Sequence, residues 1–152
     1  MELYRIILLL IFCIIFFILS CSAAVDRVYI NQPIKDGNTI VSDGETYELG
    51  FFSPGKSKNR YLGIWYKNIS PCTVVWVANR QTPIKDASGM FQVTTEGVLL
   101  IHSGGDSNTV IWSSNFTVSA MNVNPVAKLL DSGNLVVWDN YRNKGKTDLA
   151  KF

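Results

Sequence analysis

A tryptophan-bearing pattern that recurs at a fixed spacing constrains the fold of this chain more than any other feature. Residues Thr73–Arg80 read Thr-Val-Val-Trp-Val-Ala-Asn-Arg, and residues Thr109–Asn115 read Thr-Val-Ile-Trp-Ser-Ser-Asn. The two tryptophans are 36 residues apart, and the turn glycines Gly97 and Gly133 are separated by the same interval. Because two different landmarks share one period, the sequence predicts an internal repeat of similar structural units.

Short runs rich in Val, Ile, Tyr, Phe and Trp alternate along the chain with turn residues. The predicted strands are 39–41, 46–52, 61–66, 74–78, 90–93, 98–102, 110–113, 126–130 and 135–139. Turn signals such as Asp36-Gly37-Asn38 and Ser132-Gly133-Asn134 separate them. Evenly spaced short strands predict an all-β sandwich, barrel or prism. A parallel α/β architecture is excluded, because no segment reads as a crossover helix.

The repeat groups these strands into three units. Unit one covers Gly44–Trp76 and is predicted to carry an additional strand, Tyr61–Tyr66, between its halves, while unit two covers Met90–Asn115. Unit three opens with Pro125–Asp139, but residues 141–152 contain no β-branched pair and no tryptophan. We therefore expect an incomplete third unit, a polar C-terminal tail over 141–152, and a missing neighbour for the strand Leu135–Asp139.

The N-terminal segment has the organisation of a signal peptide. Ile6–Leu19 is an unbroken apolar run of 14 residues, preceded by Arg5 and followed by small residues that end at Ala23 and Ala24. A spanning helix needs roughly 20 apolar residues, so a signal peptide over residues 1–24, cut after Ala23 or Ala24, is favoured over a membrane anchor. The chain is expected to be secreted, or held at the plasma membrane if this segment is retained.

Residues 25–152 suffice for one domain, and their charge and cysteine content restrict its partners and stability. The net charge of the chain is +2, without a basic patch before the tail, so nucleic acid is not an expected partner. Cys72 is the only cysteine beyond the signal segment, which rules out a disulfide within the domain. We expect Cys72 to be semi-buried, with intermolecular pairing as the alternative.

Four stretches of the chain resemble one plant family. They are Tyr47–Gly55, Tyr61–Tyr66, Thr73–Arg80 and Leu129–Trp138. Together they resemble the bulb-type lectin domain of S-locus glycoproteins and S-domain (G-type lectin) receptor-like kinases. The resemblance implies a lectin domain over residues 25–140, folded as a β-prism II of three four-stranded sheets with pseudo-threefold symmetry. It also implies that the repeat tryptophans are largely buried and meet near the centre.

The resemblance further implies a place for sugar binding. Related bulb lectins bind mannose with the strand motif Gln-x-Asp-x-Asn-x-Val-x-Tyr, whose alternate side chains face one way. The corresponding residues of unit three are Leu130, Ser132, Asn134, Val136 and Trp138. Aligned by sequence, unit two offers Val93, Thr95, Gly97, Leu99 and Ile101, and unit one offers Gly44, Thr46, Glu48, Gly50 and Phe52. Only Asn134 and Val136 match the motif, so the implied carbohydrate site at Ser132, Asn134, Val136 and Trp138 is degenerate, and Asn134 also reads as an ordinary turn residue.

No pattern in the chain indicates catalysis or metal binding. His102, the only histidine, reads as a loop residue, and Asp43, Glu45 and Glu48 lack the spacing of a calcium loop. Kinase phosphate-binding and catalytic motifs are absent from the sequence. We therefore expect no enzymatic activity, no catalytic residue, no cofactor and no metal.

Two sequons predict N-glycosylation of a secreted chain, at Asn68 and at Asn115. Asn115 is the better candidate, because Pro71 follows the sequon of Asn68 directly.

Three functions remain open. The leading one is a secreted, non-enzymatic recognition domain that binds an extracellular protein, peptide or glycan through a surface other than the mannose pockets, alone, as a homodimer or paired with a related receptor ectodomain. The second is a carbohydrate-binding lectin with a rearranged site. The third is a non-functional truncated fragment of a receptor.

Overall fold

Antiparallel strands and tight turns make up most of the structure, a computed structural model that describes residues 4–8, 11, 25–104, 109–114, 124–139 and 144–148. The strands are β1 (Arg27–Tyr29), β2 (Ile34–Lys35), β3 (Thr39–Val41), β4 (Tyr47–Phe52), β5 (Tyr61–Tyr66), β6 (Val74–Val77), β7 (Met90–Val93), β8 (Leu99–Ser103), β9 (Thr109–Ser113), β10 (Pro125–Leu129), β11 (Leu135–Asp139) and β12 (Lys144–Asp148). Residues 4–8 are helical. Over the described ranges, no helix is both long and apolar enough to cross a bilayer.

The strands form three four-stranded antiparallel sheets, which confirms the predicted all-β prism. Sheet A has the order β1-β10-β11-β12, sheet B has β2-β7-β8-β9, and sheet C has β3-β4-β5-β6. Each sheet therefore consists of three consecutive strands and one strand from the segment 27–41. The strands β1 and β2 were not predicted, because segments of three and two residues are too short to show alternation.

The 36-residue repeat corresponds to an equivalent strand pair in sheets C and B. Trp76 lies opposite Ile64, Trp112 lies opposite Ile101, and a register shift follows each pair. Sheet A repeats this geometry, with Thr147 opposite Val137 and a shift at the next residue. Units one and two contribute three strands each, so the prediction of one additional strand in unit one is wrong.

The expectation of an incomplete third unit is also wrong. Residues 144–148, part of the predicted polar tail, form β12, which pairs with β11 and leaves that strand with a neighbour on each side. A strand ladder is made by backbone N–H and C=O groups, which almost every residue type supplies. Strand propensity is weak and depends on context, and lysines are common in edge strands. The polar sequence Lys-Gly-Lys-Thr-Asp is therefore compatible with the outermost strand of a sheet.

One apolar core is shared by all three sheets. Its members alternate along the central strands, so each sheet turns one face inward. The almost fully buried residues include Leu49, Leu62 and Ile64 from sheet C, Phe91, Leu99 and Ile101 from sheet B, and Leu129, Leu135 and Val137 from sheet A. The inward faces of the three sheets therefore stabilise one another.

The repeat tryptophans meet at this core, as predicted. The rings of Trp76 and Trp112 have centroids 6.1 Å apart and an interplanar angle of 82°, an edge-to-face contact. They are half-buried, however, where the resemblance implied that they are largely buried. For Trp112 the reason is that it also lines an open groove formed with residues 78–82.

Cys72 differs from its prediction as well. It is an exposed free thiol rather than a semi-buried one. Residues 68–73, which lie in the connection between β5 and β6, are all exposed.

Trp112→Ala is expected to lower the free energy of unfolding by about 2 to 4 kcal/mol. Truncating a half-buried ring removes less apolar contact, and therefore less stability, than truncating a fully buried one. Chemical denaturation of Trp112→Ala, Trp76→Ala and the double variant measures both the cost and the coupling. We expect a coupling of about 0.5 to 1.5 kcal/mol for the edge-to-face contact. Strictly additive effects would contradict a direct contact between the two rings.

The amides of β11 are expected to exchange with solvent as slowly as those of β8, because both strands lie between two paired neighbours. Hydrogen exchange of the full chain tests this. Deleting residues 140–152 should accelerate exchange in β11, whereas deleting only residues 149–152, which spares β12, should not. Equal exchange in the full chain and the longer deletion would mean that β12 does not protect β11.

Candidate recognition site

The strand register locates the sugar motif in unit three. The turn between β10 and β11 closes with hydrogen bonds from Leu130 N to Asn134 O and from Gly133 N to Leu130 O, both 2.9 Å long. Ser132 is exposed, Asn134 is half-buried and Val136 is buried, so the predicted site residues do lie on one turn and the strand after it.

A hydrogen bond to unit one holds this turn. Trp138, the last motif position of unit three, lies further along β11. The Asp131 carboxylate is already engaged, because its Oδ1 accepts a hydrogen bond of 2.7 Å from Gly44 N in the turn before β4. The only acidic side chain of the turn thus ties unit three to unit one.

Unit two has the same turn, shifted by one residue from the sequence alignment. Thr94 N donates to Val98 O and Gly97 N donates to Thr94 O, matching the two bonds of unit three. The corresponding positions are therefore Thr94, Glu96, Val98, Leu100 and His102. The sequence alignment is wrong here, since a slip of one residue exchanges the two faces of a strand and places the fully buried core residues Leu99 and Ile101 in the site.

The surface of unit two is a polar cluster. His102 lies on β8 and is only 5% exposed, so its prediction as a loop residue is wrong. Its Nε2 lies 2.9 Å from Gln92 Nε2. Ser88 Oγ lies 3.3 Å from Ser103 Oγ and accepts a hydrogen bond of 2.8 Å from Gly104 N. These groups adjoin a cavity of about 260 Å³ lined by Lys35, Ala87, Ser88, Gly89, Met90, His102 and Gly104.

Glu96 takes the place of the motif aspartate in unit two but is bound locally. Its Oε1 accepts a hydrogen bond of 2.8 Å from Thr95 Oγ1. Hydroxyl hydrogen bonds from Thr95 and Thr94 lower the pKa of this carboxyl group, because they stabilise its charged form. Glu96 is therefore ionised, and its carboxylate is hydrogen-bonded within its own turn.

Unit one places the motif on a different strand from the sequence alignment. Phe51 pairs with Leu62 as Leu129 pairs with Leu135 in unit three. The equivalents of Leu130, Asn134, Val136 and Trp138 are consequently Phe52, Tyr61, Gly63 and Trp65. The alignment over residues 44–52 is wrong because the loop 53–60 is longer than its counterparts and hides the period.

Three rings cover the outer face of sheet C, and we name Phe52, Tyr61 and Trp65 the aromatic face. The centroid of Phe52 lies 6.0 Å from that of Tyr61 and 6.2 Å from that of Trp65. The rings lie over a cross-strand glycine pair: a Cβ on Gly63 would stand 2.6 Å from Phe52 Cε1, and one on Gly50 would stand 3.2 Å from Trp65 Cη2. Glycine at both positions therefore lets the rings lie against the sheet.

A buried carboxamide holds the segment that follows β6. Asn79 is 2% exposed. Its Oδ1 accepts from Leu62 N at 2.8 Å, while its Nδ2 donates to Arg60 O at 3.3 Å and to Thr82 O at 3.1 Å. The asparagine of the repeated motif thus fixes the backbone on both sides of Arg80.

The acidic residues weighed as a calcium site have other roles. Glu45 pairs with Lys67 at 3.0 Å, and Glu48 accepts from Thr39 Oγ1 at 2.7 Å and from Trp65 Nε1 at 3.0 Å. Within the described ranges, no group of three or more His, Cys, Asp or Glu side chains is placed to hold a metal.

The glycosylation and cleavage predictions remain untested. Asn68 is exposed, and its Nδ2 donates a hydrogen bond of 3.2 Å to Glu45 O. Asn115, Ala23 and Ala24 lie outside the described residues.

Comparison with known proteins agrees with this geometry. A family described as D-mannose binding lectin matches residues 73–150, just over half of the chain. Two G-type lectin S-receptor-like serine/threonine-protein kinases of Arabidopsis thaliana are 46% identical over 121 residues and 43% identical over 124 residues. These matches cover 80% and 82% of this chain but only 14% and 15% of the kinases.

Two solved structures share the fold. One is a monomeric monocot mannose-binding lectin from Gastrodia elata, with a TM-score of 0.60 and 20% identity over 83% of this chain and 97% of that one. The other is a Japanese Marasmius oreades lectin, with a TM-score of 0.59 and 14% identity over 82% of this chain and 89% of that one.

Three four-stranded sheets around one core, with a sugar-motif position on the surface of each, define a lectin-type β-prism. The chain belongs to the D-mannose binding, or bulb-type, lectin family, and its relatives confirm the resemblance to the lectin domain of G-type lectin receptor kinases. Lectin domains of this fold are binding modules rather than enzymes.

Asn79→Ala is expected to lower the free energy of unfolding by about 2 to 3 kcal/mol, because it leaves the buried Leu62 N–H and two carbonyl groups without their partner. Thermal or urea denaturation measures the effect. Gln81→Ala, an exposed change two residues away, should stay within about 0.5 kcal/mol. Similar stabilities for the two variants would show that the Asn79 bonds contribute little.

Proposed function

We propose that this chain is an extracellular, non-enzymatic recognition domain whose mannose sites are degenerate. Its partner is an extracellular protein, peptide or glycan. Delivery outside the cell rests on the signal-peptide pattern of residues 1–24 and on the similarity to receptor kinases. In a receptor, the domain would lie on the outer side of the plasma membrane.

The observation that carries the proposal is the residue content of the three motif positions. Unit three keeps Asn134 and Val136 but has Leu130, Ser132 and Trp138 where glutamine, aspartate and tyrosine are required. A site that reads sugar hydroxyls loses discrimination with every hydrogen bond that is not made.

The other two units depart further from the motif. Unit two offers a glutamate bound within its own turn and a histidine bonded to Gln92. Unit one offers aromatic rings and a glycine. Neither unit reproduces the set of amide, carboxylate and phenol groups with which the motif binds mannose.

A carbohydrate-binding lectin with a rearranged site is the second candidate. The family description and the Gastrodia lectin both name mannose, and the polar cluster of unit two offers Gln92, Ser88 and Lys35 near a cavity. The third candidate, a non-functional receptor fragment, cannot rest on an unfinished third unit, because sheet A has four strands.

The full chain, purified after secretion, is expected to show no saturable heat when titrated with methyl α-D-mannopyranoside to about 10 mM. The variant Leu130→Gln/Ser132→Asp/Trp138→Tyr restores the motif of unit three and should gain binding in the same calorimetric experiment. Mannose binding by the unaltered chain that is abolished by Asn134→Ala would contradict the proposal. Binding of another glycan on an array, without mannose binding, would favour the second candidate.

A further inference from the structure

The aromatic face of unit one borders a pocket that the mannose motif does not explain. This cavity of about 250 Å³ is lined by Phe52, Pro54, Tyr61, Val77 and Arg80. A second groove of about 270 Å³ is lined by Ala78, Asn79, Arg80, Gln81, Thr82 and Trp112. Because Arg80 lines both, the two cavities adjoin, and an occupant longer than a single residue can contact both.

Basic residues line the pocket or belong to segments that adjoin its lining. Arg80 is exposed, and so are Lys56 and Lys58 in the loop that contains Pro54. Lys85 is bound to the same loop, because its Nζ donates a hydrogen bond of 3.2 Å to Asn59 Oδ1. None of these four cations forms an ion pair with a described residue, whereas Arg60, the remaining cation of the loop, is paired with Asp36.

This charge is therefore available to a partner. Guanidinium groups bind carboxylates through paired hydrogen bonds, and electrostatic complementarity at an interface favours an anionic ligand.

The lining distinguishes a side chain from a sugar as the occupant. Apart from the Tyr61 hydroxyl and the Arg80 guanidinium, the walls of the first pocket are aromatic rings, a proline and a valine. A pyranose could hydrogen-bond the lining only through these two groups, whereas a site that recognises a sugar by its hydroxyls needs several such bonds. An apolar side chain needs no such bond and gains free energy from leaving water.

The adjoining groove has a different chemistry. Its side-chain amides and hydroxyl, from Asn79, Gln81 and Thr82, are groups that hydrogen-bond a peptide backbone. Asn79 is already committed to its own backbone contacts, which leaves Gln81 and Thr82, both exposed, as the candidates for this role.

We propose that this surface binds an acidic peptide segment of a partner protein. An apolar side chain of the segment occupies the pocket formed by Phe52, Tyr61 and Val77, a neighbouring carboxylate pairs with Arg80, and the peptide continues along the groove beside Trp112. The proposal rests on the proposed recognition function and names its partner class. Aromatic residues and arginine are the types that dominate binding energy at interfaces.

The binding test uses the secreted full chain labelled with ¹⁵N and the peptide acetyl-Asp-Glu-Phe-Glu-Asp-amide as the probe. Titration followed by NMR should show saturable shifts of the indole N–H signal of Trp112, a residue that lines the groove. Replacing Phe of the probe by Ser, or its acidic residues by Asn and Gln, should weaken binding about tenfold or more, through the lost apolar burial or the lost charge pairing.

Protein variants separate the site from non-specific attraction. Arg80→Gln should weaken binding about tenfold or more. Lys67→Gln removes the same charge from a lysine paired with Glu45 and should leave the affinity unchanged. Tyr61→Ala should weaken binding of the Phe-containing probe more than that of the Ser-containing one, and an unchanged tryptophan spectrum will show that the variant is folded.

Three results would overturn the peptide site: no saturable shift with the probe, equal losses for Arg80→Gln and Lys67→Gln, or tighter binding of a hexuronate trisaccharide than of the peptide. The proposed function fails on a different measurement, namely mannose binding that depends on Asn134. If another ligand binds and Arg80→Gln does not affect it, the recognition function stands and this location is wrong.

Discussion

No sheet of this domain can bury its apolar face without the other two, and the rest of the structure depends on that constraint. Each sheet turns one row of Leu, Ile, Val or Phe side chains inward, and the three rows form a single core. A lone four-stranded sheet would leave this row in water, at a cost proportional to the apolar area. The segment 27–41 strengthens the arrangement, because it gives one edge strand to each sheet in turn.

The same constraint explains why the three outer surfaces differ so much. Alternate residues of a strand face opposite sides, so a substitution on the outer face leaves the core contacts intact. Unit three has Asn134 at the turn before β11, unit two has hydrogen-bonded Gln92 and His102, and unit one has aromatic rings over a glycine pair. One backbone register thus supports three chemically distinct surfaces.

Much of the fold was predictable from local patterns, and the failures have physical causes. The strands from β3 to β11 follow from β-branched and aromatic runs between turn residues, and the contact of Trp76 with Trp112 was implied by the family resemblance. β12 was missed because its pairing relies on backbone groups and the position of its neighbour rather than on its own side chains. The motif positions of units one and two were misplaced because loop length, which sets register, does not show in residue types.

The sequence by itself determined the strands from β3 to β11, the repeat and the family, because alternation, turn glycines and motif residues are local properties. Only the tertiary structure decided which residues share a surface. Phe52 and Arg80 are far apart in sequence, and they line one pocket because β4 and β5 pair in one sheet while Asn79 anchors the chain beyond β6. Such contacts depend on strand register and on long-range hydrogen bonds, which form only when distant segments pack together.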